Sequence, residues 1–169
     1  MKLYIDTTTK KTQTEDGLKL AIKALSEFTG RRKESIIIEK NYLGKPVLAS
    51  GEAYFNISHS FERVVCAVSD KPVGVDIEKI RPFSRGVINR FFNDSESEYV
   101  ERAKSEDEAR KRFYELWTLK ESYVKMTGEG LKGLKKISLT IKNGSVSSDT
   151  GCRFILNYKA GYVIAVCNR

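Results

Sequence analysis

The centre of the chain holds three strand-type segments joined by short connections, and this feature limits the possible folds most. Glu52–Ser69 has the pattern of a β-hairpin, with strands at Ala53–Ile57 and Val64–Val68. Val73–Glu78 follows at once and alternates apolar residues with small or acidic ones, which is typical of a strand. The sequence therefore predicts a hairpin followed directly by a third strand.

Two longer segments have helical periodicity. Glu15–Thr29 places apolar residues at helical spacing, and Gly30 follows as a typical helix stop. Ser95–Lys125 is rich in charged helix formers and predicts one or two helices, with Ser95 and Glu98 spaced as a capping box. Three further strand-type segments close the chain: 137–141, 152–158 and 162–166.

The composition is that of an ordered globular protein. Of 169 residues, 40% are hydrophobic and 31% are charged, which allows one ordinary domain or two small lobes. No apolar run approaches the ~20 residues of a membrane-spanning helix, and the N-terminus resembles no secretion signal. We therefore expect a cytoplasmic protein that does not enter a membrane.

The cysteine spacing and the net charge limit which metals and ligands we expect the chain to bind. Cys66, Cys152 and Cys167 are too widely spaced for a structural zinc site, and the first and last lie in apolar runs typical of buried free thiols. The net charge is +8, with basic ends around an acidic middle, which fits either a polyanionic ligand with a metal site or a solvated basic surface. Because the sequence contains no nucleic-acid motif, we expect no nucleic-acid partner.

Asp76 and Glu78 are two apart on the third predicted strand. Their side chains therefore project the same way, about 6–7 Å apart, which lets one hard cation such as magnesium lie between them. Gly74 shares their face and would let a ligand approach closely. The alternative is an exposed strand face that carries two acids.

Phe113, Trp117, Glu121 and Lys125 are spaced four apart and line one face of the predicted helix. We expect the apolar end of this face to pack in the core and the charged end to emerge at its rim. Glu121 and Lys125 could form a surface ion pair, or they could bind a metal and a phosphate, respectively.

His59 is the single histidine and follows the first strand of the hairpin. It is either a phosphate contact or a hydrogen-bonded histidine of a turn. Ser58 and His59 do not form a catalytic triad by adjacency, and no nucleophile elbow is present, which argues against a serine hydrolase.

Together, three blocks resemble the ordered signature of phosphopantetheinyl transferases of the surfactin-synthetase-activating type: Phe55–Ser60, Val73–Glu78 and Trp117–Lys125. Gly44–Pro46 and Arg90–Phe92 with Glu96 match further elements of that family. The resemblance runs from about Gly17 to the C-terminus.

The resemblance implies an α+β fold with two pseudo-repeated lobes. Each lobe would be a small antiparallel sheet packed on a long helix, with the active site between the lobes. We expect a shortened N-terminal lobe at residues 1–71 and a C-terminal lobe at residues 72–169 that carries the metal site. Because one chain would supply both lobes, we expect the protein to be a monomer.

The resemblance also assigns the metal and catalytic residues. Asp76, Glu78 and Glu121 match the family's magnesium ligands. Lys125 matches a catalytic lysine that contacts the coenzyme A phosphates near the bond that breaks. Glu96 matches the proposed general base.

Further residues match the family's contacts with coenzyme A, which is a substrate. Ser58 and His59 correspond to phosphate binders, and Lys45 corresponds to a basic residue at the same site. Asp76 and Lys125 belong to this set as well. The short first half lacks segments that normally contact the 3'-phosphate.

The activity that the resemblance implies is transfer of the 4'-phosphopantetheine group of coenzyme A to a serine of an apo carrier protein, with release of 3',5'-ADP and dependence on Mg²⁺. The carrier would be an acyl or peptidyl carrier protein of fatty-acid, polyketide or nonribosomal-peptide synthesis. The alternative is a catalytically impaired relative that only binds coenzyme A or a carrier protein.

Overall fold

The computed structural model describes residues 1–42 and 44–169. The helices are α1 (Gln13–Thr29), α2 (Arg85–Phe91), α3 (Asp94–Glu101) and α4 (Glu106–Thr127). The strands are β1 (Lys2–Thr7), β2 (Ile38–Lys40), β3 (Pro46–Leu48), β4 (Tyr54–Ser60), β5 (Arg63–Ser69), β6 (Val73–Lys79), β7 (Leu139–Lys142), β8 (Ser145–Ser148), β9 (Arg153–Lys159) and β10 (Tyr162–Asn168).

Two three-stranded antiparallel sheets form the body of the protein. The first has the strand order β1-β5-β4 and the second β6-β10-β9, while β2-β3 and β7-β8 are separate two-stranded pairs. Helix α1 packs on the first sheet and α4 on the second. The predicted α+β fold, with small antiparallel sheets on long helices, is confirmed. The division into lobes at residue 71 stays a prediction.

Strand β5 is buried on both faces, which explains its unbroken apolar run. Val64 and Cys66 belong to the core under α1, whereas Val65 and Ala67 face the second sheet. Because side chains alternate along a strand, one five-residue run supplies both cores.

Strand β10 repeats this arrangement in the second sheet. Val163 and Ala165 pack under α4, while Ile164 and Val166 join the apolar cluster that the two sheets share. The molecule therefore consists of four layers in the order helix, sheet, sheet, helix.

Side chains, rather than backbone pairing, join strand β4 to the edge of β6. Alternate residues of β4 face β6, and the side chain of each accepts a hydrogen bond from a backbone N–H group of β6. The bonds join Asn56 Oδ1 to Val75 N at 2.9 Å, Ser58 Oγ to Ile77 N at 3.4 Å and Ser60 Oγ to Lys79 N at 3.3 Å. We call Asn56, Ser58 and Ser60 the side-chain ladder.

Gly74 allows α4 to approach β6 closely. A Cβ atom at this position would lie 2.0 Å from Ser122 O and 2.5 Å from Met126 N. The expectation that Gly74 makes room for a ligand is therefore wrong, because the face that it shares with Asp76 is covered by the helix. The close approach brings the C-terminal half of α4 over the acids of β6.

The described residues include no helix with both the length and the apolar character needed to cross a bilayer. Even the longest, α4, carries charged residues along its whole length. The cytoplasmic location stays a prediction.

Candidate active site

The acids of β6 meet the charged end of the α4 face where the two sheets join. Asp76 is only 3% exposed, and its Oδ1 lies 2.6 Å from Nζ of Lys125. Lys125 thus pairs with Asp76 across the two elements rather than with Glu121 on its own helix. The predicted gradient along α4 is confirmed, since Phe113 is buried, Trp117 is half-buried and Lys125 reaches the rim.

Ser58 completes this cluster from the first sheet. Its hydroxyl donates to Asp76 Oδ1 at 2.9 Å and accepts from Lys125 Nζ at 2.8 Å. The other oxygen of Asp76, Oδ2, is buried and has no hydrogen-bond partner within the described part of the chain. A buried carboxylate oxygen without a donor is a position suited to a cation.

The electrostatics of the cluster also favour a cation. Burial raises the pKa of Asp76, although Lys125 and Ser58 oppose this effect. Burial likewise raises the pKa of Glu78 and of Glu121, and the negative charge of Asp76 raises both further. The three carboxylates therefore repel one another, and Lys125 neutralises them only in part.

The acids do not form a closed metal cage. Across residues 1–42 and 44–169, no three acidic, histidine or cysteine side chains are grouped closely enough to enclose a metal ion. Glu78 Oε2 is instead held by the hydroxyl of Ser60 at 3.0 Å. An open set of carboxylates in which Asp76 Oδ2 has no donor among the described residues nevertheless fits magnesium, which usually takes few protein ligands and keeps water and phosphate in its shell.

A family model described as the 4'-phosphopantetheinyl transferase superfamily matches residues 72–167. The chain belongs to this superfamily. The matched range contains the second sheet, α2, α3 and α4, and with them Asp76, Glu78, Glu121 and Lys125.

Curated relatives extend the match into the first sheet. The chain is 40% identical over 146 residues to the 4'-phosphopantetheinyl transferase Sfp of Bacillus subtilis (strain 168), covering 80% of this chain and 64% of that protein. It is 40% identical over 154 residues to the transferase ffp of Bacillus subtilis, covering 85% and 67%. The match to Sfp thus spans less than two thirds of that relative's length. These matches confirm the resemblance to the surfactin-synthetase-activating type.

A solved structure is also similar in part. The holo-[acyl-carrier-protein] synthase of Thermotoga maritima matches with a TM-score of 0.48 at 19% sequence identity, over 57% of this chain and 61% of that chain.

In this family member, Lys45 contacts the C-terminal end of α4. Its Nζ donates to the carbonyl oxygens of Lys125 at 2.7 Å and of Met126 at 3.5 Å, which is a favourable position for a cation. Burial lowers the pKa of Lys45. Lys45 also lines a cleft of about 370 Å³ together with Tyr42 and Tyr54.

Two further cavities are lined by residues of the cluster. One, of about 280 Å³, is lined by Lys45 and Lys125. The other, of about 440 Å³, is lined by Glu78, Arg81 and Trp117. The first cavity therefore reaches Lys125 and the second reaches Glu78, and the two lysines favour a polyanion in the first.

His59 is not brought to the cluster. Strand β4 extends to Ser60, beyond the predicted end at Ile57, so His59 lies within the strand and its exposed side chain points away from the face that carries Ser58. The alternative of a turn histidine is wrong for the same reason.

Glu96 is 1% exposed, and its hydrogen bonds go to residues outside the cluster. It forms a capping box with Asn93 at the start of α3, so the box predicted for Ser95 and Glu98 is wrong by two residues. Its carboxylate accepts from the backbone N–H groups of Asn93 and Leu139, each at 2.9 Å, and pairs with Lys120 at 2.9 Å. The general-base role of Glu96 stays a prediction.

Two polar residues with structural contacts near these groups were not predicted as site residues. Lys120 is fully buried and donates to two backbone carbonyls besides its pairing with Glu96. Ser60 holds Glu78. The only sequence signal for Ser60 is its spacing of two from Ser58, which matches the spacing of the acids.

Proposed function

We propose that this protein transfers the 4'-phosphopantetheine group of coenzyme A to a serine of an apo acyl or peptidyl carrier protein and releases 3',5'-ADP. The observation that carries this proposal is the buried carboxylate of Asp76. One of its oxygens accepts from Lys125 and Ser58, and the other has no donor in the described part of the chain. A cation position beside a lysine suits phosphoryl transfer, in which positioning and charge stabilisation supply most of the catalysis. Membership of the superfamily supports the same reaction class.

Magnesium is the proposed cation, held by Asp76, Glu78 and Glu121 with water and phosphate oxygens. When bound, it supplies positive charge to the pyrophosphate oxygens, where negative charge develops during transfer. The raised pKa values of the three carboxylates support a site built around a positive charge.

Lys125 is proposed to contact the phosphate next to the bond that breaks. Its side chain is 30% exposed, so it can reach a ligand while it remains bonded to Asp76. Lys45 holds the backbone of the same helix end and brings a second positive charge to that side. Together the two lysines would orient coenzyme A with its pyrophosphate toward the acids.

The carrier serine must lose a proton as it attacks the β-phosphate, and Glu96 is the predicted acceptor. Its carboxylate is 1% exposed and already accepts from three donors, so the carrier serine can reach it only if the residues around it move. His59 remains a proposed contact of a coenzyme A phosphate, on the outer face of β4.

We further propose lobes at residues 1–71 and 72–169, with the active site at their junction. Ser58 comes from the first range, and Asp76 and Lys125 come from the second. One chain thus supplies groups from both sides of the site, which supports a monomer.

The test is the intact mass of an apo acyl carrier protein and an apo peptidyl carrier protein after incubation with this protein, coenzyme A and magnesium. We expect a mass gain of one phosphopantetheine group that a chelator prevents. Asp76→Ala and Glu121→Ala should abolish transfer without unfolding the protein. Glu106→Ala is the matched control, because this acid lies on the same helix and is 87% exposed.

Full activity of Asp76→Ala or Glu121→Ala would overturn the metal assignment. If the wild type binds coenzyme A by isothermal titration and modifies neither carrier, the result would favour the impaired relative that only binds.

A further inference from the structure

Ser60 in the side-chain ladder makes two hydrogen bonds in opposite directions. Its hydroxyl accepts from the backbone N–H of Lys79 at 3.3 Å and donates to Glu78 Oε2 at 3.0 Å. A serine hydroxyl is suited to this double role because it is both a donor and an acceptor. Ser60 therefore fixes the edge of β6 and the acid on that edge together.

Ser58 repeats this pattern one step along the ladder. It accepts from Ile77 N at 3.4 Å and donates to Asp76 Oδ1 at 2.9 Å. It also accepts from Lys125 Nζ, so its one donor and two acceptor positions are all in use. While these bonds persist, the hydroxyl has no hydrogen-bonding capacity left for a phosphate.

The residue types of the ladder match those of β6. Asn56 binds Val75 N but reaches no acid, and the nearest residue of β6 on the acid face is Gly74, which has no side chain. Hydroxyls thus stand where β6 carries an acid, and an amide stands where it carries none. A ladder needed only to hold the strand edge would not require this match.

Burial strengthens the hydrogen bonds of the side-chain ladder. Asn56, Ser58 and Ser60 are all buried, so water competes little for their partners. Hydrogen bonds to carboxylates are stronger than neutral ones, and more so at low local dielectric. The donors on one oxygen each of Asp76 and Glu78 therefore restrict the rotation of both carboxylates before any ligand binds.

We propose that Ser58 and Ser60 are positioning residues that orient Asp76 and Glu78 for a divalent cation. This inference rests on the proposed function, in which these acids hold the metal. It assigns Ser60 a role, and it gives Ser58 a role in addition to the predicted contact with a coenzyme A phosphate. The serines act on the cation through the acids and do not contact it themselves.

The test is Mn²⁺ binding to the metal-free protein, measured from the free-ion electron paramagnetic resonance signal. Ser60→Ala should weaken Mn²⁺ binding by about tenfold or more, the usual effect of removing a partner that orients a metal ligand. The magnesium concentration for half-maximal transfer should rise by a similar factor, while kcat at saturating magnesium changes little.

Ser69→Ala is the matched control. Ser69 is a buried strand serine whose hydroxyl donates to Asp70 Oδ1 and accepts from Lys71 N, each at 3.2 Å, so it makes the same two bonds away from the site. Its removal should lower the melting temperature much as Ser60→Ala does but leave Mn²⁺ affinity unchanged. If Ser60→Ala does not fold, Ser60→Thr and Ser60→Val give the same comparison at equal shape, with affinity retained only in the threonine variant.

Failure of the positioning role can be distinguished from failure of the proposed function. A wild type that binds Mn²⁺ and transfers the group, together with a Ser60→Ala or Ser60→Val variant of unchanged affinity, overturns the positioning role alone. A wild type that neither binds Mn²⁺ nor modifies a carrier overturns the proposed function and this inference with it.

Discussion

At the scale of single residues, Asp76 is a carboxylate in a place where an isolated carboxylate is costly. It is almost fully buried, one of its oxygens has no donor among the described residues, and Glu78 and Glu121 add like charge. Lys125 offsets only part of this cost. A bound cation would lower this cost, because buried carboxylates that repel one another destabilise the fold.

The pH dependence of Glu121→Gln tests this repulsion. The pKa of Glu121 is raised in the folded protein by burial and by Asp76, so its ionised form destabilises the folded state above that pKa. Glutamine should therefore raise the metal-free free energy of unfolding at neutral pH, by roughly 0.5–1 kcal/mol. The gain should shrink as pH falls through the folded pKa toward the unfolded value of about 4.3, because the wild-type side chain then takes up a proton.

Thermal melts in a chelator across this pH range would measure the gain, and added magnesium should stabilise the wild type but not the variant. Glu106→Gln, on the exposed part of the same helix, should bring no gain. A Glu121→Gln protein less stable than wild type at neutral pH would contradict the repulsion.

At the scale of elements, the packing of α4 on β6 determines the site. The helix is close enough for Lys125 to reach Asp76 because Gly74 has no side chain, and the atoms next to it are backbone atoms of α4. Backbone atoms cannot rotate away as a side chain can, so this contact leaves little freedom in the position of the helix.

Gly74→Ala should therefore be severely destabilising. The added methyl group would overlap Ser122 O and Met126 N, and we expect a loss of roughly 3 kcal/mol or more, at the upper end for overpacked cores. Urea denaturation measures the loss. Gly86→Ala in α2 is the control, since its nearest neighbour is Ser84 Oγ at 3.4 Å, and it should be neutral or stabilising by up to about 1 kcal/mol. A Gly74→Ala protein as stable as wild type would contradict the tight packing.

Local periodicity predicts which face of an element is buried but not which partner covers it. The four-residue steps from Phe113 through Trp117 and Glu121 to Lys125 correctly predict the buried and charged ends of this face of α4. The spacing of the β6 acids predicts their common face, yet nothing local indicates that Gly74 receives a helix. The ladder could not be predicted, because its bonds join residues 18 or 19 positions apart.

Helix starts are a second limit of the sequence. Ser95 with Glu98 and Asn93 with Glu96 both have the spacing of a capping box. The structure uses the second pair, and Glu96 also accepts from Leu139 N, a tertiary contact with no local signature.

At the scale of the whole molecule, the four layers share apolar contacts that cross the proposed lobe boundary. Val65 and Ala67 of the first sheet pack with Val75 and Ile164 of the second in one buried cluster. The side-chain ladder adds polar contacts between the same sheets. Because neither sheet buries this face alone, we expect the two proposed lobes to unfold together.

Two buried cysteines report on this cooperativity. Cys66 lies under α1 and Cys167 under α4, and both are fully buried. Burial raises the pKa of Cys66 to about 12 and raises that of Cys167 as well, so both thiols stay protonated and unreactive at neutral pH. Unfolding returns each pKa to about 8.5 and restores reactivity.

The test is thiol labelling across a urea gradient in two variants, one that keeps Cys66 and one that keeps Cys167. The two thiols should become reactive with the same midpoint urea concentration. Cys152 is half-exposed and provides the control, since it should react before unfolding. Labelling of one buried thiol at a clearly lower urea concentration than the other would mean that one lobe unfolds alone. The shared core would then be too weak to couple the proposed lobes, and the proposed active site between them would open before the molecule unfolds.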